Sequence, residues 1–159
     1  MNQHTVELTR VFEAPRERVF DCWTRAEHLQ HWFGPRGFTI HSCETEPRPG
    51  GLFKLCMRAP DGKDYWVRGR FKEMDFPNHL VIACAADDDK GVERLQEVIE
   101  VTFTESAGRT TVSLNAVARA AEKAGPSDEA AAMLRGMDQG LAQTVDRLGS
   151  HLTSKGAGK

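Results

Sequence analysis

The sequence predicts an α+β domain: a curved seven-stranded antiparallel sheet wrapped around a long C-terminal helix, with two short helices between strands one and two. Three observations carry that expectation. The chain opens on a dense aromatic run, Phe12, Phe20, Trp23, Trp32, closed by Gly34-Pro35. Its middle is a succession of β-rich segments separated by short turns, which is the pattern of an antiparallel meander rather than of parallel βαβ units. Near its end, Leu134, Met137, Leu141, Val145, Leu148 and Leu152 recur at steps of three and four, giving one apolar helical stripe.

The elements follow in order. His4 to Glu13 reads as the first strand. Pro15 fixes φ at the first turn of a helix that presents Val19, Phe20 and Trp23 on one face. Thr24-Arg25-Ala26-Glu27 has the form of a capping box and opens a second helix with Leu29, Trp32 and Phe33 as its apolar stripe. Neither helix is long enough to stand alone, so both must pack on the sheet. Strands are then expected at 38–46, 52–58, 65–74, 80–85, 95–105 and 110–117, with turns at Arg48-Pro49-Gly50-Gly51, Pro60-Asp61-Gly62, Pro77-Asn78 and Ser106-Ala107-Gly108. Pro126-Ser127-Asp128-Glu129 starts the last helix with acid over its N-terminus. One rod is expected over 126–153, and 154–159 as a frayed, disordered polar tail. The whole of 1–153 reads as one domain, and a wide sheet gripped by one helix leaves a cavity.

The chain has 159 residues, of which 40% are hydrophobic and 28% charged. That suits one domain burying roughly 70% of the surface its unfolded chain exposes. The formal charge of −2, with both signs interspersed, gives no footprint for nucleic acid. No apolar run approaches the ~20 residues of a membrane span, and the first residues lack a basic-then-apolar leader, so membrane insertion is not expected and a cytoplasmic location is. Cys22, Cys43, Cys56 and Cys84 lie too far apart for a CxxC pair and read as reduced, structural thiols.

The ordered set Arg10-x-Phe12-x-Ala14-Pro15, Val19-Phe20-x-x-Trp23-Thr24, Leu29-x-x-Trp32-x-Gly34-Pro35, Arg48-x-Gly50-Gly51-x-Phe53, Pro60-Asp61-Gly62, Gly69 and Val101-x-Phe103 resembles the activator-of-Hsp90-ATPase-like (AHSA-type) branch of the START/SRPBCC superfamily. The resemblance runs over about residues 5 to 153 and implies the Bet v 1-like, helix-grip fold with a hydrophobic-ligand cavity. It does not imply one activity, since the superfamily includes carriers, receptors, cyclases and co-chaperone domains. The chain departs at Gly136-Met137, where many relatives carry Gly-Trp, so pocket details near that position do not carry over.

On the expected concave face, Phe53, Leu55 and Met57 alternate on one strand and Val67, Gly69 and Phe71 on the next. Val101 with Phe103, and Val112 with Leu114, extend it. Each residue there serves equally as core or as cavity lining. Trp32 belongs to the same group, near the expected cavity mouth, while Trp23 reads as glue between the short helices. Met133, Met137 and Leu141 are the lining expected from the last helix. Gly136 and Gly140 mark either close helix–sheet approach or space kept for a ligand. His31, His41 and Arg70 are the possible polar cavity groups, with Arg68 and Glu100 behind them. Asp87-Asp88-Asp89 reads as a solvated acidic loop. No catalytic constellation, metal site or cofactor motif stands out. The expected role is binding a small hydrophobic or amphipathic molecule, lipid-like or polyketide-like. The alternatives are an interaction with a chaperone ATPase and a cyclase- or hydrolase-type enzyme using the same cavity. A homodimer through an exposed sheet edge is compatible with the pattern.

Overall fold

A computed structural model of the chain describes residues 3–121 and 128–156. Seven strands form one antiparallel sheet: β1 (Gln3–Phe12), β2 (Thr39–Thr45), β3 (Leu52–Arg58), β4 (Asp64–Asp75), β5 (His79–Asp87), β6 (Glu93–Ser106) and β7 (Arg109–Ala120). Their order across the sheet is β1-β7-β6-β5-β4-β3-β2. Short helices α1 (Arg16–Thr24) and α2 (Ala26–Trp32) interrupt the meander after β1, and α3 (Asp128–Arg135) and α4 (Met137–Gly156) follow β7.

Period-two alternation decides which face each strand buries. Leu95, Ile99, Val101 and Phe103 of β6 meet Val112, Leu114, Ala116 and Ala118 of β7 on the concave face, while Val98 between them stays exposed. Phe53 and Leu55 of β3 and Val67 and Phe71 of β4 complete that face. The register shifts between Ile40 and Ser42, between Phe71 and Glu73, and between Ala86 and Asp87. Each irregularity sharpens local twist and bends the sheet around what it covers.

The two short helices are held by aromatics. Trp23 and Trp32 pack edge to face with ring centroids 4.9 Å apart, and Trp32 Nε1 donates to the Cys22 carbonyl at 3.0 Å. The capping box expected at Thr24 does not form. Helix α1 runs through Thr24, whose hydroxyl donates back to the Phe20 carbonyl at 3.2 Å, and Arg25 takes the extended N-cap position of α2 with no side-chain cap. Glu27 keeps its place as an acid in the first turn of α2.

The rod expected over 126–153 is two helices meeting at Gly136, a residue that surrenders helical order most cheaply. Hydrogen bonds still run from Gly136 N–H to the Ala132 carbonyl at 3.1 Å and from Gly140 N–H to the Gly136 carbonyl at 2.9 Å, so the break is a local bend. The start expected at Pro126-Ser127 lies outside the described residues. At the other end α4 continues to Gly156, into the segment read as a disordered tail. Helix α3 packs on β6 and β7, and α4 on β1 and α2. Val145, Leu148 and Leu152 are buried beneath α4.

One position couples sequence to curvature with particular economy. Gly69 sits on the concave face of β4, opposite Cys84, and a Cβ there would run into the Ala83 carbonyl oxygen and the Cys84 backbone. Gly69→Ala is expected to force β4 from β5 and cost about 2–3 kcal/mol, read as a lower denaturant midpoint.

Candidate ligand-binding cavity

Between the α3–α4 bend and the sheet lies a hollow of about 420 Å³, partly open to solvent. Its floor comes from β4 to β6, its roof from Ala132, Met133, Gly136, Met137, Gly140 and Leu141, and its side wall from Phe33, Gly34, Pro35 and Phe38. Side-chain volume explains why the hollow exists. A row across the sheet runs from Gly69 to Cys84, Glu97 and Ala118, so small groups flank Glu97 on both neighbouring strands. Glycines and Ala132 stand above.

The roof glycines settle one question. A Cβ on Gly140 would meet nothing nearer than Pro35 Cγ at 3.7 Å, and one on Gly136 only carbonyls of its own turn at 3.6 and 3.8 Å. Neither glycine is there for close helix–sheet approach; both border open volume.

Glu97 is the outstanding polar group. It occupies the concave parity of β6, between Leu95 and Ile99, and lines the hollow. Among the described residues its carboxyl has no hydrogen-bonding or ion-pair partner. Burial alone raises its pKa from 4.5 to about 7. Across the strand, Cys84 is buried, and burial, then the Glu97 charge, push its thiol well above the ordinary range. Beside the Arg68-paired Asp87, the cavity therefore holds one unpaired acid that is neutral or charged depending on conditions close to neutrality, and a thiol that stays protonated.

The side wall is clasped to the roof. Arg147 of α4 directs Nη1 at three carbonyls of the segment after α2: Pro35 at 2.8 Å, Gly34 at 2.9 Å and Phe33 at 3.4 Å. Arg36 N–H donates to Gln143 Oε1 at 3.0 Å. Burial lowers the Arg147 pKa without discharging a guanidinium. Two side chains of α4, Arg147 and Gln143, thus fix the loop that bounds the hollow.

Of the residues singled out from sequence, Met57, Met133, Met137 and Leu141 line this hollow. Trp32, Phe53, Leu55, Phe71, Val101, Phe103 and Leu114 are buried in the packed core beside it. The three expected polar groups lie elsewhere. Arg70 is exposed and donates to the Gly50 carbonyl at 3.1 Å; it alternates with Gly69 and Phe71 and takes the convex face. His41 is exposed on the edge strand β2, next to a bulge. His31 is exposed on α2, stacked on His151. Arg68 and Glu100 are likewise convex: Arg68 forks onto Asp87 at 2.5 and 3.0 Å, and Glu100 bonds His79 at 2.7 Å. The acidic loop is also unlike its expectation. Asp87 and Asp88 are buried and matched by Arg68 and Arg94, so these carboxylates order the loop from within.

Glu97 and Arg147 were missed from sequence. Glu97 was in principle findable, because it is the one acid in the concave alternation Leu95, Ile99, Val101, Phe103. Arg147 carries no such signal, since its partners are 112 to 114 positions away.

Solved structures resemble this fold over nearly its whole length. A protein from Nitrosomonas europaea superposes with a TM-score of 0.74 at 21% identity, covering 97% of each chain. One from Rhizobium leguminosarum gives 0.76 at 21% identity over 96% of this chain and 95% of that one. An AHSA1 protein from Silicibacter pomeroyi gives 0.71 at 19% identity over 95% and 99%. None of the curated proteins matches in sequence. Residues 13–153 match the family described as Activator of Hsp90 ATPase homolog 1-like protein, and the chain belongs to that family.

Proposed function

We propose that the protein binds a small, mostly apolar molecule in the hollow under α3 and α4, with Glu97 engaging one polar group of that molecule. The observation that carries this reading is a carboxyl with no protein partner among the described residues, on a mostly apolar floor whose other acid, Asp87, is matched by Arg68. A cavity of about 420 Å³ falls within the size usual for small-molecule sites, where apolar walls supply affinity and a few polar groups set orientation. An acid left without a protein partner is costly to bury, and a ligand group that accepts its proton or matches its charge recovers that cost. Alcohols, carbonyls and amines meet the requirement. A ligand carboxylate does not, because it would face Glu97 as a like charge once both ionise.

A second reading rests on the same group. A carboxyl with a pKa of about 7 is suited to general acid–base transfer, so a cyclase- or hydrolase-type reaction on a molecule held in the hollow follows from the same chemistry. Turnover abolished in Glu97→Gln while ligand binding persists would distinguish this from simple carriage.

Two measurements test the binding proposal. Thermal shifts should be recorded with a matched series of long-chain alcohol, amine and carboxylate. The alcohol and amine should raise Tm by mass action, and the carboxylate should do so least above neutral pH. In Gly136→Leu, where the glycine borders open volume, a side chain enters the hollow and the shift should vanish while the fold gains helix propensity. A full-sized shift in that variant, or none in the native chain with any member of the series, removes the proposal. Glu97 also leaves a signature in the unliganded protein. Its folded pKa is raised, so its stabilising effect is complete below pH 4.5 and is lost as pH rises through about 7. Glu97→Gln should therefore match the native chain near pH 4 and exceed its stability above pH 7 by on the order of 1–3 kcal/mol, measured by denaturant unfolding across pH.

A further inference from the structure

A second cluster of chemistry lies away from the hollow, where α1, α2 and α4 converge. Cys22 of α1, His28 of α2 and His151 of α4 each offer a donor atom, and the three atoms all lie within 4.8 Å of one another. Cys22 and His151 are 1% and 6% exposed, so solvent reaches the cluster chiefly past the half-buried His28. His28 Nδ1 and His151 Nε2 face each other at 3.1 Å. His31, one turn after His28, stacks on His151 with ring centroids 5.6 Å apart. From this convergence we propose that Cys22, His28 and His151 form a binding site for a divalent transition-metal ion of the Zn²⁺ class.

The donor chemistry and spacing favour that occupant. One sulfur and two imidazole nitrogens suit borderline-soft ions and not Mg²⁺ or Ca²⁺, which take oxygen. Zn–N and Zn–S bonds of about 2.0–2.3 Å set tetrahedral donors roughly 3–4 Å apart; the two imidazole nitrogens already stand at 3.1 Å, and Cys22 Sγ lies within 4.8 Å of both. The arrangement also differs from an ordinary histidine pair. Two facing imidazoles need only a shared proton, whereas a buried thiol at the same point adds a third donor that such a hydrogen bond does not use. On binding, the Cys22 thiol loses its proton to solvent, and both rings coordinate as neutral imidazoles with their remaining nitrogens protonated. The fourth position is left for water or a ligand atom from outside. Among neighbouring charges Arg18 opposes a bound cation and Asp21 favours it. The physical effect is a clamp: one ion joins the consecutive helices α1 and α2 to α4, more than a hundred positions away.

The test uses the reduced, chelator-stripped full chain titrated with Co²⁺ alone, followed by absorption. One equivalent should bind, giving tetrahedral d–d bands and a thiolate-to-metal charge-transfer band, and Zn²⁺ should displace it. Cys22→Ser should lose the charge-transfer band. His28→Gln, at a half-exposed position that tolerates change, should weaken Co²⁺ binding at least tenfold with an unchanged circular dichroism spectrum. Cys43→Ser, which alters the partly exposed thiol on β2, should leave both signals intact. Zn²⁺ should raise Tm in the native chain and not in His28→Gln. The site is refuted if the folded chain shows no saturable one-to-one binding, if the charge-transfer band survives in Cys22→Ser, if it disappears in Cys43→Ser, or if His28→Gln binds Co²⁺ as tightly as the native chain.

Discussion

A shortage of side-chain volume along one row of the sheet governs the centre of this molecule. Cys84 and Ala118, on either side of Glu97, are small where a filled core would place branched or aromatic groups, and the helical segment above them is built from Ala132, Gly136 and Gly140. Protein interiors normally pack to crystal-like density, so such a gap persists only where the surroundings cannot collapse into it. Here the sheet is stiffened on one side by Phe53, Phe71 and the α1–α2 aromatics, and on the other by the buried face of α4. The hollow is a property of the frame, and the half-buried Glu97 is desolvated because the frame limits its contact with water and offers it no partner among the described residues.

The same frame separates two kinds of charge. Other buried or half-buried acids find partners: Asp87 with Arg68, Asp88 with Arg94, Asp64 with Arg58 at 2.8 Å. On the concave side Glu97 has none among the described residues. That contrast, more than its burial alone, is what sets the group apart, since structural ion pairs also perturb carboxylates without any bearing on function.

Much of this architecture was legible in the chain. All seven strands fall where β-branched alternation and turn residues placed them, because antiparallel strands with one buried face write their register into every second residue. The terminal stripe from Leu134 to Leu152 likewise reported its buried face. Local rules failed where two outcomes compete over a few residues. Thr24 fitted a cap equally well as the last residue of the preceding helix, and tertiary packing of Trp23 decided for the latter. Gly136 fitted both a continuous rod and a bend. The polar groups fared worst: Arg70 and Glu100 take the convex parity of β4 and β6, and Glu97, on the concave parity of β6, was not among the residues expected there. The meeting of His28 with His151 spans 123 positions and has no local trace.

The clasp made by Arg147 has a consequence for how occupancy of the hollow is felt elsewhere. Its guanidinium joins the wall segment 33–35 to the same helix that carries His151 one turn further on. Wall and helix cannot shift independently without breaking charge-assisted bonds to three carbonyls. Whatever guest fits best with the wall drawn in will favour one tilt of α4, and by thermodynamic reciprocity anything that fixes that tilt will alter the guest's affinity by the same factor.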